Sequence, residues 1–237
     1  MIKTVNNWLN IIQYTVLPPS CIFCGKKSEQ KIDLCNACKN GIRKLESQCL
    51  YCAQVFDSPS LNHQICGHCQ TSPHAFDKVY APYLHQGEVR YLINQLKFEQ
   101  AHKNARLLGL LISDFLIAEK APLPDCILPV PLHRERYQQR GYNQTLEIAK
   151  VISQKLSIPI NYNNCIRTHN TPHQISLSLK QRHKNMKGAF KVKSSISAKH
   201  IAILDDVMTT GATANELAET LKSAGVTRVD IWVCARA

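Results

Sequence analysis

The chain has 237 residues, 44% of them hydrophobic and 19% charged, enough to bury an ordinary core and to exclude wholesale disorder. At roughly 100–150 residues per compact domain, the length suits one large domain or two small ones, and no apolar run approaches the roughly 18 residues of a membrane-spanning helix. The net charge of +12 points to a polyanionic partner and says nothing about fold.

The chain opens on Ile2, Val5, Trp8, Leu9, Ile12 and Val16, apolar residues at helical spacing that stop at Pro18-Pro19. This predicts a short amphipathic docking helix, with attachment to a membrane surface the lesser alternative. Asn and Gln interrupt every apolar stretch, so the segment does not read as a signal peptide. Eleven cysteines without an export signal suit a cytoplasmic protein, where thiols stay reduced, and make metal the expected use.

Eight of the eleven cysteines fall in four CxxC pairs: Cys21/Cys24, Cys35/Cys38, Cys49/Cys52 and Cys66/Cys69. A CxxC places two thiolates on one tight turn, at a separation that suits two corners of a tetrahedron around zinc. Gly25 and Gly67 stand beside their cysteines, where such a turn favours a residue tolerant of positive φ. Four pairs make two closed four-thiolate sites, the pattern of structural rather than catalytic zinc, with disulfides or an iron–sulfur cluster as lesser readings. Sequential pairing needs the shortest loops, and a cross-braced arrangement is the alternative. His63 and His68 lie within the last knuckle and are expected to be bystanders. With few large apolar residues, the segment would draw its folding energy from zinc, about 10–16 kcal/mol per structural site.

Composition changes near residues 70–78, where Thr71-Ser72-Pro73 reads as a linker. This predicts a helix and double zinc module over residues 1–75 and a second domain over 76–237. Beyond the linker the expected elements alternate: a strand at Lys78–Tyr83, helices at Glu88–Phe98 and Lys103–Ala118, a strand at Asp125–Val130 and a helix at Gln144–Leu156. A short strand at Cys165–Thr168, a polar helix or turn at Ser178–Lys187, and a strand at His200–Val207 follow. A helix at Thr213–Ala224 capped by Gly225 and a last strand at Arg228–Ala235 end the chain. Apolar strands alternating with helices predict an α/β fold, a mostly parallel sheet with helices on both faces.

One loop in this pattern carries chemistry. Ile203-Leu204-Asp205-Asp206-Val207-Met208 leads into Thr209-Thr210-Gly211-Ala212-Thr213 and a helix. The threonine hydroxyls and the amides from Thr210 to Thr213 can converge on one anion at the positive end of the helix, and Gly211 lets the backbone wrap it. Asp205 and Asp206, expected at an exposed strand end, repel phosphate and suit ribose hydroxyls or a magnesium ion. The bland alternative is an acidic strand end before an ordinary Thr-capped helix.

The stretch ILDDVMTTGAT resembles the 5-phosphoribosyl-1-pyrophosphate (PRPP) motif of type I phosphoribosyltransferases. With LINQLKF, PVPLHRERYQQRGYNQ, RTHNTPHQISLSLKQRHKNMKGAF and the four CxxC pairs, the chain from about Cys21 to Ala237 is similar to the ComF (ComFC) competence family. The resemblance implies a double zinc ribbon, with two zinc ions, fused to a phosphoribosyltransferase-like domain that serves natural transformation. It further implies that Asp205 and Asp206 bind the ribose hydroxyls of PRPP with magnesium, and that Thr209, Thr210, Gly211, Ala212 and Thr213 bind its 5-phosphate. Pro129-Val130-Pro131-Leu132-His133 takes the position of the pyrophosphate loop, and Lys97 or Arg140 supplies a cation for pyrophosphate. If the domain is active, Asp205, Asp206, Lys97 and Arg140 form the catalytic set.

Residues 131–200 hold thirteen Lys and Arg against Glu135 and Glu147, more cations than one PRPP uses. Arg134, Arg136, Tyr137, Arg140 and Tyr142 interleave charge with aromatics, as single-stranded nucleic acid binders do. Arg182, His183, Lys184, Lys187, Lys191 and Lys193 form a second basic block. With the resemblance, this gives handling of single-stranded DNA as the expected function, with a PRPP pocket retained; other DNA-uptake proteins such as a helicase are partners that only the resemblance implies. An active salvage or amidophosphoribosyl-type transferase without a DNA role is the alternative.

Overall fold

The computed structural model describes residues 19–28, 32–58, 64–99, 101–169 and 186–237. The predicted N-terminal helix, His63, Arg182, His183, Lys184 and most of the helix or turn expected at Ser178–Lys187 lie outside the described residues. Two compact units, Met1–Arg43 and Lys44–Ala237, divide the chain within the cysteine segment, whereas composition changes only near residues 70–78.

In the first unit a knuckle turn brings the Gly25 amide onto the Cys21 carbonyl at 2.8 Å, with Gly25 at φ 70°. Helix α1 (Asn36–Gly41) starts from Cys35, whose sulfur accepts the Cys38 amide. Leu34 is wholly buried beneath this small structure.

The second unit begins with the second knuckle and the one-and-a-half-turn helix α2 (Gly67–Thr71). The left-handed residue here is Ala53, at φ 53°, while Gly67, expected to supply that freedom, opens α2 instead. Ala53 is fully buried, and it joins Cys49, Cys52, Phe76, Val79 and Met208 in one apolar cluster. The knuckle is thus part of the core of this unit.

Strands β1 (Lys78–Tyr80) and β2 (Tyr83–Leu84) are two pieces of the expected strand, broken at Ala81-Pro82 because Pro82 has no amide to donate. Helices α3 (Gly87–Phe98) and α4 (His102–Ala118) follow, then β3 (Cys126–Pro129). Next come α5 (Arg134–Arg140) and α6 (Gln144–Leu156), and an antiparallel hairpin of β4 (Cys165–Arg167) and β5 (Phe190–Val192). Strand β6 (His200–Met208), helix α7 (Ala212–Ser223) and strand β7 (Arg228–Arg236) complete the fold.

The main sheet runs β3-β6-β7-β1, with β2 also on β7, and all of its pairings are parallel. Alternate residues of the strands face opposite sides. Ile201, Ile203, Ile231 and Val233 pack with Leu217 and Leu221 of α7, while α3, α4 and α6 cover the other side. Two-sided burial explains why β6 and β7 read as continuous apolar runs. Within β7 the fully buried Asp230 is held by Arg228 at 3.0 Å and by His200 at 2.9 Å.

Helices α4 and α6 meet at Gly109, where an added Cβ would lie 2.7 Å from Val151 Cβ and 3.1 Å from the Ile148 carbonyl. We expect Gly109→Ala to lower stability by about 1–3 kcal/mol despite the better helix propensity of alanine. Urea unfolding checks this, and adding Val151→Ala should recover part of the loss because the two changes share one contact.

Candidate functional site

The cysteines assemble into two clusters, Cys21/Cys24/Cys35/Cys38 and Cys49/Cys52/Cys66/Cys69, each with its four sulfurs within 4.8 Å of one another. Pairing is therefore sequential rather than cross-braced, and none of the eleven cysteines forms a disulfide. Sulfurs of Cys24 and Cys35 lie 3.7 Å apart, and those of Cys52 and Cys66 3.6 Å. Four thiolates at about 2.3 Å from one zinc would stand about 3.8 Å from each other, so both donor sets fit the ion. Burial opposes ionisation of Cys21, but the amides of Cys35, Cys24 and Phe23 outweigh it and bring the thiol down to about 6. Cys49 falls to about 7 on the same balance, with burial opposed by the amides of Cys52, Cys66 and Tyr51. His68 is exposed and edge-on to His74, outside the sulfur set.

The acid pair lies within β6, which runs on to Met208, and not at the exposed strand end that the sequence suggested. Asp206 is only 4% exposed. A carboxylate so placed needs partners. Lys97 Nζ lies 2.9 Å from its Oδ1, and Gln144 Nε2 donates to its Oδ2 at 3.0 Å. Arg140 in turn donates to Gln144 Oε1, so the four side chains form one chain of contacts from α3, α5, α6 and β6. Asp205 accepts the Asp206 amide at 2.8 Å. Burial pushes the Asp205 carboxyl up to about 7, helped by Asp206 and opposed by Lys97.

Beside this pair the backbone turns through Thr209 and Thr210 into α7, whose N-cap is Gly211 at φ 80° with no side chain of its own to cap the first turn. Thr210 Oγ1 accepts the Ala212 amide at 3.3 Å, and a Cβ on Gly211 would meet Met208 Cε at 2.6 Å. Thr209 is exposed, Thr210 and Thr213 are half-buried, and Ala212 is buried. At the end of β3, the Val130 carbonyl accepts from both Asn143 Nδ2 and Thr145 Oγ1 at 3.1 Å, which ties Val130 and Pro131 to the start of α6.

Of the aromatics expected to stack on bases, Tyr137 is 50% exposed on α5. Tyr142 is not available: it is buried, and its hydroxyl donates to the Leu96 carbonyl. Phe98, 74% exposed with Arg140 5.9 Å above its ring, presents the aromatic surface that the sequence reading attributed to Tyr142. Its place after Lys97 at the end of α3 was a possible signal. Arg134, Lys187, Lys191 and Lys193 are exposed, and Arg136 is half-buried.

Three residues escaped the sequence reading. Gln144, the first residue of α6, links Asp206 to Arg140. His85 stands near Lys97 and Asp206; burial and the Lys97 charge hold its pKa below the ordinary value, and its buried Nε2 has no hydrogen-bond partner among the described residues. Arg236, near the chain end and 3% exposed, donates to carbonyls on both sides of it.

A double zinc ribbon domain family matches residues 12–70. Competence protein F of Haemophilus influenzae is 34% identical over 226 residues, covering 92% of this chain and 96% of that protein. DNA utilization protein YhgH of Salmonella typhi is 31% identical over 207 residues, covering 86% of this chain and 90% of that protein. Among solved structures, the glutamine PRPP amidotransferase of B. subtilis aligns with a TM-score of 0.38 at 18% identity, over 56% of this chain and 26% of that one. No helix among the described residues is long and apolar enough to cross a membrane.

Freshly purified protein should contain two zinc ions per chain by elemental analysis, and no iron absorbance. Cys21→Ser with Cys24→Ser should lower the content to one and speed proteolysis within residues 19–43 only, because the second cluster belongs to the other unit.

Proposed function

The chain belongs to the ComF competence family, and from that membership we propose that it handles single-stranded DNA in natural transformation while keeping a ribose-phosphate pocket. The observation that carries this reading is the placement of α5. Its exposed Arg134 and Tyr137 face solvent, and its Arg140 reaches Gln144 and, through it, the buried Asp206. One short helix therefore serves both a basic, aromatic surface and the acid pair. Phosphates of a flexible strand would follow Arg134, Lys187, Lys191 and Lys193, and bases would stack on Tyr137 and Phe98.

In the pocket, amides and hydroxyls from Thr209 to Thr213 would hold a 5-phosphate at the start of α7, and ribose hydroxyls would donate to Asp205 and Asp206. Magnesium, when bound with PRPP, would supply charge neutralisation for the pyrophosphate. Lys97 and Arg140 already stand in the polar chain around Asp206 and offer cations of the chain's own. A working phosphoribosyltransferase is the second reading, supported by the glycine N-cap of α7 beside the acid pair. Pyrophosphate release from PRPP and magnesium with a panel of bases decides between them: turnover selects the enzyme, and binding without turnover the accessory role.

Binding of an unstructured oligonucleotide through phosphates should weaken with salt at a slope of about −0.7 per contact on a log–log plot. Replacing Arg134, Lys187 and Lys191 with Ala should flatten the slope by about 2, whereas Tyr137→Ala should lower affinity at an unchanged slope. An unaltered slope in the triple variant removes the DNA reading.

The pocket should respond to pH through Asp205. Its carboxyl is raised to about 7, so the stability it contributes is greatest when protonated and is lost as pH rises through that value. Ribose hydroxyls prefer the ionised acceptor, so affinity for ribose 5-phosphate should rise between about pH 6 and pH 8. Both trends should vanish in Asp205→Asn, as read by thermal midpoints and calorimetry.

A further inference from the structure

Arg236 carries no sequence motif, yet its guanidinium lies between the anion loop and the second knuckle. On the loop side Nη1 donates to the Met208 carbonyl at 3.0 Å and also to the Thr209 carbonyl. On the knuckle side Nη2 donates to Gln54 Oε1 at 3.1 Å, and Nε approaches the carbonyl of Cys52, one of the cluster cysteines, at 3.4 Å. The Arg236 backbone is fixed as well, because β7 pairs it with Met208 and its carbonyl accepts the His85 amide at 2.8 Å.

We propose that Arg236 is the positioning residue of the anion loop, and that through it the second cysteine cluster is a working part of the ribose-phosphate site. In a trans peptide the carbonyl and the following N–H point in opposite directions. A guanidinium that gathers the Met208 and Thr209 carbonyls therefore turns the Thr209 and Thr210 amides away from itself, and keeps the start of the loop in one conformation. A loop that grips an anion with its amides must present its carbonyls elsewhere, and Arg236 receives them.

The cation has its own needs. The buried guanidinium is reached from the cluster side by the Cys52 carbonyl at Nε and by Gln54 Oε1 at Nη2. A zinc ion bound by four thiolates leaves excess negative charge. The filled cluster thus supplies a counter-charge and a fixed Cys52 carbonyl to a cation buried at the loop. Among the described residues, the side-chain partners of Arg236 all lie within Lys44–Ala237, the unit that holds the second cluster. The ligand part of the proposal rests on the ribose-phosphate reading.

The test uses the full zinc-loaded chain and two readouts, hydrogen exchange at the amides of residues 209–213 and calorimetry with ribose 5-phosphate. In Arg236→Lys, and in Cys66→Ser with Cys69→Ser, exchange should quicken and affinity should fall about tenfold, the size of one lost charge-assisted hydrogen bond. Cys21→Ser with Cys24→Ser should leave both within about twofold of the parent, the scatter expected of distant sites. Parent-like exchange in Arg236→Lys, or equal effects from the two cysteine variants, overturns the proposal. Should circular dichroism show Arg236→Lys or the Cys66/Cys69 variant unfolded, Gln54→Leu decides: its side chain is exposed, and it removes only the Nη2 partner. Faster loop exchange in Gln54→Leu then supports the proposal, and parent-like exchange overturns it. A parent that does not bind ribose 5-phosphate refutes the pocket reading, while the exchange measurements still decide the role of Arg236.

Discussion

A carboxylate in the middle of an apolar parallel sheet is the constraint around which this site is organised. Asp206 has almost no access to water, and an ionised group there persists only where charge and hydrogen-bond donors are brought to it. Lys97 arrives from the end of α3, Gln144 from the first turn of α6, and Arg140 from α5 behind Gln144. Three helices that are separate in sequence are thereby registered against one strand. Asp205, next along β6, carries the remaining cost: with the cation committed to its neighbour, burial raises its carboxyl into the physiological range. Sensitivity to pH follows from two adjacent acids sharing one lysine.

A buried cation stands at the other margin of the same loop. Arg236 is as poorly hydrated as Asp206, and its guanidinium is held by the Met208 and Cys52 carbonyls, Gln54 Oε1 and an Ala237 oxygen. The Cys52 carbonyl and Gln54 Oε1 bring the second knuckle to that cation. The two cysteine clusters are alike in sequence and differ in setting. The first organises a small unit with Leu34 as its main apolar anchor, and the second has Cys49 and Cys52 inside the large core beside Phe76 and Met208. Metal in the first would be folding energy for a local structure. In the second it would also bear on the loop that follows β6.

In this family member α5 joins an exposed basic and aromatic face to the buried Asp206 through Arg140 and Gln144. Arg140 also lies 5.9 Å over the ring of the exposed Phe98, so one side chain joins an exposed aromatic to the buried network.

Much of this was legible in the residues alone. CxxC spacing determined both cysteine clusters, because two cysteines with two residues between them present both sulfurs to one metal ion. Apolar runs of β-branched residues determined β6 and β7, and the helical periodicity of Gln144–Leu156 gave α6 its observed bounds. The loop from Thr209 to Thr213 likewise announced a helix start, expected at Thr213 and found at Ala212 with Gly211 as its N-cap. Other features depend on distance across the fold, to which local pattern is blind. Tyr142 looked like a stacking residue and is instead buried, because Leu96, 46 positions away, offers its carbonyl to the hydroxyl. Asp206 looked exposed because an acid usually is, and only the approach of Lys97 and Gln144 makes its burial tolerable. Arg236 carried no signal in the sequence. Its role was decided by the sheet register that lays it beside Met208 and by a knuckle 182 positions earlier that brings Gln54 to the same guanidinium.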